Sequence, residues 1–206
     1  LLRRYTPEQL RDLEDSALRR EIRSIADGSL SARTQDRDAL PKRFFYLYGR
    51  MVDQIFRLVR MLAQELCQSE FRPLRFEYPI GEQEGTRPLR LGTASGDEVR
   101  VEGKVDRVDC YHGSDRDYIR VIDYKTGGRA DETPEQLDEK HRLQASCYAY
   151  ALMRAGYESV DAHFLRIEHA AADNSRDPQI VPYHFEKTDL PALEALIIAK
   201  QHEAVV

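Results

Sequence analysis

Along the first third of the chain apolar residues recur at steps of three and four; from Phe71 onward the step drops to two. The stretch TPEQLRDLEDSALRREIRSIAD predicts a helix. Thr6 is its N-cap, Pro7 its first helical residue, and Gln9 completes a capping box. Leu10, Leu13, Ala17, Leu18 and Ile22 form its apolar stripe. Residues 27–41 are polar and predict a loop. A second helix is expected from Lys42 to Gln68, with Phe45, Tyr48, Val52, Ile55, Val59, Leu62 and Leu66 on one side.

The alternating part predicts strands in PLRFEYPIG, RPLRLGT, DEVRVEGKVDRVDCY, DYIRVIDYKTG, SVDAHFLRIEH and QIVPYHFEK. Residues 133–156 interrupt them as a helix, capped by Thr133, opened by Pro134 and closed by Gly156. TDLPALEALIIAKQHEA predicts a final helix. Residues 1–70 therefore read as a helical extension packing on a core, and residues 71–206 as the core itself.

Two of these strands, 98–110 and 117–125, flank the turn-like HGSDRD. A hairpin centred between Ser114 and Asp115 places Asp106 directly opposite Asp123, with Cβ atoms roughly 5 Å apart. Lys125, two positions beyond Asp123, shares that face. Opposed carboxylates repel unless a cation lies between them, and two carboxylates at that spacing suit Mg²⁺ or Mn²⁺ better than zinc. Lys125 is then placed to orient or deprotonate a water, or to offset phosphate charge. A cross-strand salt bridge is the alternative. A slip of register by a residue would separate the acids. Val99, Val101 and Val105 are apolar at odd positions while Val108 and Cys110 follow at even ones, which predicts a bulge near Val105–Asp106.

The segments GKVDRVD, VIDYKTG and LQASCYAYAL together resemble the RecB-type branch of the PD-(D/E)xK nucleases. FRPLRFEYPIG is similar to what precedes this core in B subunits of AddAB-type ATP-dependent helicase–nucleases. The resemblance implies an α/β (α+β) fold, a restriction-endonuclease-like mixed, mostly antiparallel sheet flanked by helices. It implies Asp106 and Asp123 as metal ligands, the Tyr124 backbone carbonyl as a third, and Lys125 as the catalytic lysine. Gln144 and Tyr148 would line the site, although a helix-boundary glutamine and a core tyrosine are the plain alternatives. Glu77 matches an acidic position upstream, with a site-facing role or a surface strand carboxylate both open.

In function, the resemblance implies a metal-dependent DNA exonuclease domain of a bacterial helicase–nuclease that processes double-strand breaks for recombinational repair. DNA and a second helicase–nuclease subunit would be its partners. A stand-alone RecB-like or CRISPR-associated exonuclease is one alternative; a catalytically silent module that binds DNA or a partner is another.

Composition narrows the setting. The chain has 206 residues, 41% hydrophobic and 33% charged, with a net charge of −5. That charge counts against a stand-alone nucleic-acid binder. The absence of a Met start and a stop within a helix-like segment read as a fragment of a longer protein. No apolar run approaches membrane-spanning length, and scattered cysteines favour an intracellular, cytoplasmic protein. Cys67, Cys110 and Cys147 do not match the spacing of an iron–sulfur cluster seen in relatives of this kind. They read as core cysteines, and a cluster in the full-length protein would be ligated outside this chain. The family's His-bearing helix is expected upstream, since no His precedes His112.

Overall fold

The computed structural model describes residues 1–31, 41–81, 89–92, 96, 98–125, 134–166 and 179–200. Residues 1–70 fall in one compact unit; residues 71–166 with 179–200 fall in another.

The described residues of the first unit hold three helices, α1 (Pro7–Asp12), α2 (Asp15–Ser31) and α3 (Lys42–Gln68). The expected first helix is thus two. Leu13 turns extended, with ψ 133°, after Thr6 and Gln9 have built the capping box. The carbonyls freed at that break accept from Arg60 of α3, with Nη1 2.8 Å from the Leu10 oxygen and 2.9 Å from the Arg11 oxygen. Residues 27–31 of the expected loop belong to α2, which runs on through Ser31, and residues 32–40 lie outside the described residues. Leu10, Leu18 and Ile22 bury against Val52, Val59 and Ala63, so the predicted stripes meet.

The second unit is built on a five-stranded sheet in the order β1 (Arg72–Ile80), β4 (Gly103–His112), β5 (Asp117–Lys125), β6 (Ser159–Arg166), β7 (Gln179–Glu186). Among the described strands only β5 and β6 pair in parallel, and helix α4 (Pro134–Arg154) lies between them in the chain. The sheet is mixed and mostly antiparallel, as expected. After a short 3₁₀ turn, α5 (Leu190–Ala199) packs with α4. Gly156, at φ +116°, follows α4 in the left-handed conformation that ends a helix, and its N–H donates to the Met153 carbonyl. The Thr133 cap and the tail beyond Lys200 lie outside the described residues.

The strand expected over 98–110 is divided. β3 (Glu98–Val101) pairs with β2 (Leu89–Gly92) in a separate two-stranded sheet, and β4 begins at Gly103. The change of phase near residue 105 falls where the pairing of β4 with β5 ends, at Arg107↔Ile122, and beside Glu77 of β1, whose φ is +56°. β4 is the second strand in the sheet, and it is buried on both faces: Arg107 and Asp109 on one, Val108 and Cys110 on the other, with Val105 in the same apolar cluster as Val108 and Cys110. The register shift beside it lies in β1, between Pro73 and Arg75.

Candidate active site

The hairpin register is the one the sequence predicts. Pairs run from His112↔Asp117 to Arg107↔Ile122, ending one residue before Asp106 and Asp123. The Tyr124 N–H donates to Asp106 Oδ2 at 2.8 Å, which ties the end of β4 to β5. Asp123 is buried on a strand flanked by β4 and β6; Asp106 and Lys125 are half-buried.

α4 closes the site through residues one turn apart. Gln144 accepts from Lys125 Nζ at 2.7 Å and donates to Asp123 Oδ2 at 3.0 Å. Tyr148 donates to the same Asp123 oxygen at 2.8 Å and lies 2.5 Å from Gln144 Nε2. Lys125 Nζ sits 2.8 Å from Asp123 Oδ1. Burial, and then the Asp123 charge, push the Tyr148 hydroxyl far above its ordinary value, so it stays a donor. One ammonium, one amide and one phenol therefore hold Asp123, and the Gln144 amide also bonds the other two.

Asp106 is less well served. Its Oδ1 accepts no hydrogen bond among the described residues. Burial raises its pKa above the usual carboxylate range, the charges of Asp123 and Glu77 add to the rise, and the Tyr124 N–H opposes it. Two neighbouring carboxylates with an oxygen to spare form a donor set for a hard divalent cation, so the residues fit such an ion.

Glu77 stands on β1, exposed and ion-paired with Lys104 of β4. Its φ of +56° lies in the left-handed region, an uncommon place for a non-glycine residue. It is near enough to act on Asp106 electrostatically but bonds neither Asp123 nor Lys125.

Sequence reasoning missed three contributors. Phe164 pairs with Asp123 across β5 and β6, and its ring lies 5.5 Å beneath the Lys125 ammonium. His141, one turn before Gln144 on α4, stacks on that ring at 4.7 Å and 9°. Its position three residues before Gln144 was the available signal. The third is Arg107, which donates to the Tyr124 hydroxyl between the two site residues of β5. Cys110 and Cys147 are buried free thiols and Cys67 is partly exposed; burial pushes Cys147 up to about 12. The one Cys/His/Asp group among the described residues, Cys110 with His112 and Asp117, lies at the far end of the hairpin from Asp106.

A family model described as the PD-(D/E)XK nuclease superfamily matches residues 1–202. The chain belongs to the PD-(D/E)XK nuclease superfamily. Nucleases of this superfamily are generally dependent on divalent metal. Similar curated proteins are named as the B subunit of an ATP-dependent helicase/deoxyribonuclease. That of Acetivibrio thermocellus is 29% identical over 58% of this chain and 10% of its own length. That of Clostridioides difficile is 27% identical over 76% of the chain and 13% of its own length. That of Moorella thermoacetica is 32% identical over 70% and 11%. This nuclease-superfamily chain therefore spans about a tenth of the length of the curated relatives it matches. Among the described residues, no helix is long and apolar enough to cross a membrane.

Proposed function

We propose that the chain hydrolyses DNA phosphodiesters with Mg²⁺ or Mn²⁺, as the exonuclease domain of a cytoplasmic bacterial helicase–nuclease that processes double-strand breaks. The observation that carries this reading is the unpartnered Oδ1 of Asp106 beside Asp123, on the same sheet face as Lys125. The relatives' names supply the setting, and with it DNA and a second subunit as partners.

Asp106 and Asp123 would hold the ion, with the Tyr124 carbonyl as a further ligand. The ion supplies Lewis-acid stabilisation of a phosphoryl oxygen and lowers the pKa of water. Gln144 and Tyr148 keep Asp123 in one orientation, and Gln144 also fixes the Lys125 ammonium. Lys125 orients the attacking water and offsets charge on the phosphate as the water oxygen bonds to phosphorus and the ester oxygen leaves. Glu77, freed from Lys104, would add a carboxylate near Asp106.

The test is cleavage of linear DNA in Mg²⁺ by the full-length parent protein and by its Lys125→Ala form. Cleavage should fall about a hundredfold while unwinding persists. Unchanged cleavage would reduce Lys125 and Asp123 to a structural ion pair.

A further inference from the structure

β4 and β5 carry a second set of charges on the face opposite Asp106 and Asp123. Arg107 and Asp109 are fully buried and Arg120 is nearly so. Arg107 Nη2 donates to Asp109 Oδ2 at 2.9 Å, and Arg120 Nη2 donates to the same oxygen at 3.0 Å. Arg107 Nε lies 2.8 Å from Oδ1, an ion-pair contact without hydrogen-bond alignment. The remaining arm of Arg107, Nη1, donates to the Tyr124 hydroxyl at 2.7 Å.

Stability alone gives no reason for this arrangement. Two cations and one anion leave water together, and a buried triad of this kind is often no more stable than an apolar packing of the same volume. What the guanidinium does that an apolar side chain could not is reach Tyr124 in a fixed direction. Its planar fork is set by Asp109 on one side, and Arg120 anchors Asp109, so the free arm has one place to point. Tyr124 is the residue between Asp123 and Lys125. Its ring lies on the buried-charge face, its N–H holds Asp106, and its two chain neighbours present their side chains on the other face.

We propose that Arg107, held by Asp109 and Arg120, is a positioning residue for the metal site. By pinning the Tyr124 phenol it fixes the peptide that orients Asp106, Asp123 and Lys125 across the sheet. This rests on the nuclease reading above. It divides the work of the D-R-V-D run between two faces. Asp106 serves the metal face directly, and Arg107 with Asp109 serves that residue through the other.

The decisive variant is Tyr124→Phe, which removes one hydroxyl and keeps the ring. Mn²⁺ binding by this chain is measured by the electron-spin signal of the free ion, and thermal unfolding is measured without metal. Tyr124→Phe should weaken Mn²⁺ about tenfold. It should leave the metal-free melting temperature close to that of the parent. Arg107→Lys keeps a buried cation for Asp109 but cannot serve Asp109 and Tyr124 together, so it should share the weak binding rather than restore it. Should Arg107→Lys fail to fold, Tyr124→Phe decides alone. Asp123→Asn separates the two ideas. If it abolishes Mn²⁺ binding while Tyr124→Phe stays within about twofold of the parent, the positioning role is wrong and the nuclease reading stands. If Asp123→Asn leaves Mn²⁺ binding intact, both fall.

Discussion

The two faces of β5 use charge in opposite ways. On one, Arg107, Asp109 and Arg120 are paired with one another and closed to water. On the other, Asp123, Lys125, Gln144 and Tyr148 are linked to one another, yet Asp106 keeps an oxygen without a partner. A network of buried ions closed on itself holds a strand in place. An unsatisfied one stores affinity for a cation that is not part of the chain. The same hairpin, in one register, produces both.

The largest effect that would break this contrast belongs to the closed face. Asp109→Ala strands two buried guanidinium groups and should cost about 3–5 kcal/mol in urea unfolding. A cost under about 1 kcal/mol would make the triad equivalent to a surface pair. Gln144→Ala tests the open face. It removes the bridge between Lys125 and Asp123 and should lower cleavage by about tenfold, roughly 1.4 kcal/mol of barrier, with little change in melting temperature. A large drop in melting temperature would move Gln144 from the site to the scaffold.

Asp106→Asn sharpens the comparison further. It should raise metal-free stability by up to about 1 kcal/mol, because an uncharged group now faces Asp123. The same substitution should abolish the stabilisation that Mn²⁺ gives the parent, read as the shift in melting temperature with added ion. The smallest effect lies on the outer strand β7. His184 is raised above the ordinary 6.5, first by its hydrogen bond to Asp161 and then by Glu186. Its contribution is therefore complete below the ordinary value and is lost as pH rises through the raised one. A slight fall in the urea midpoint across that window should disappear in His184→Gln. An identical slope in the variant would mean that water screens the cluster completely.

The open face was far more legible in the sequence than the closed one. Asp106, Asp123 and Lys125 stand out because charge interrupts an apolar strand, and hairpin symmetry about Ser114 and Asp115 brought the two acids together. Gln144 and Tyr148 were reached only through resemblance, since helix periodicity gives the face they share but not what it covers. The same symmetry pairs Asp109 with Arg120, and that pairing was there to be read. It was overlooked because opposite charges across a hairpin look like a solvated pair, and nothing in a sequence says that both faces of β4 are covered. The break at Leu13 was invisible because the apolar stripe continues across it.

The parallel pairing of β5 with β6 has a kinetic consequence. β4 and β5 are joined by a four-residue turn, residues 113–116, and can meet early. β6 can reach β5 only after the chain from 126 to 158, α4 included, has been closed into a loop, an entropic penalty that local contacts do not share. Asp106 and Asp123 should therefore be opposed while Gln144 and Tyr148 are still unplaced. Substitutions in the 113–116 turn should slow refolding, and those at the α4–Phe164 contact should chiefly hasten unfolding, as stopped-flow rates would show. A chain that assembles in this order acquires its paired acids first and the groups that discipline them last, so cutting competence arrives only with the final docking of the crossover helix.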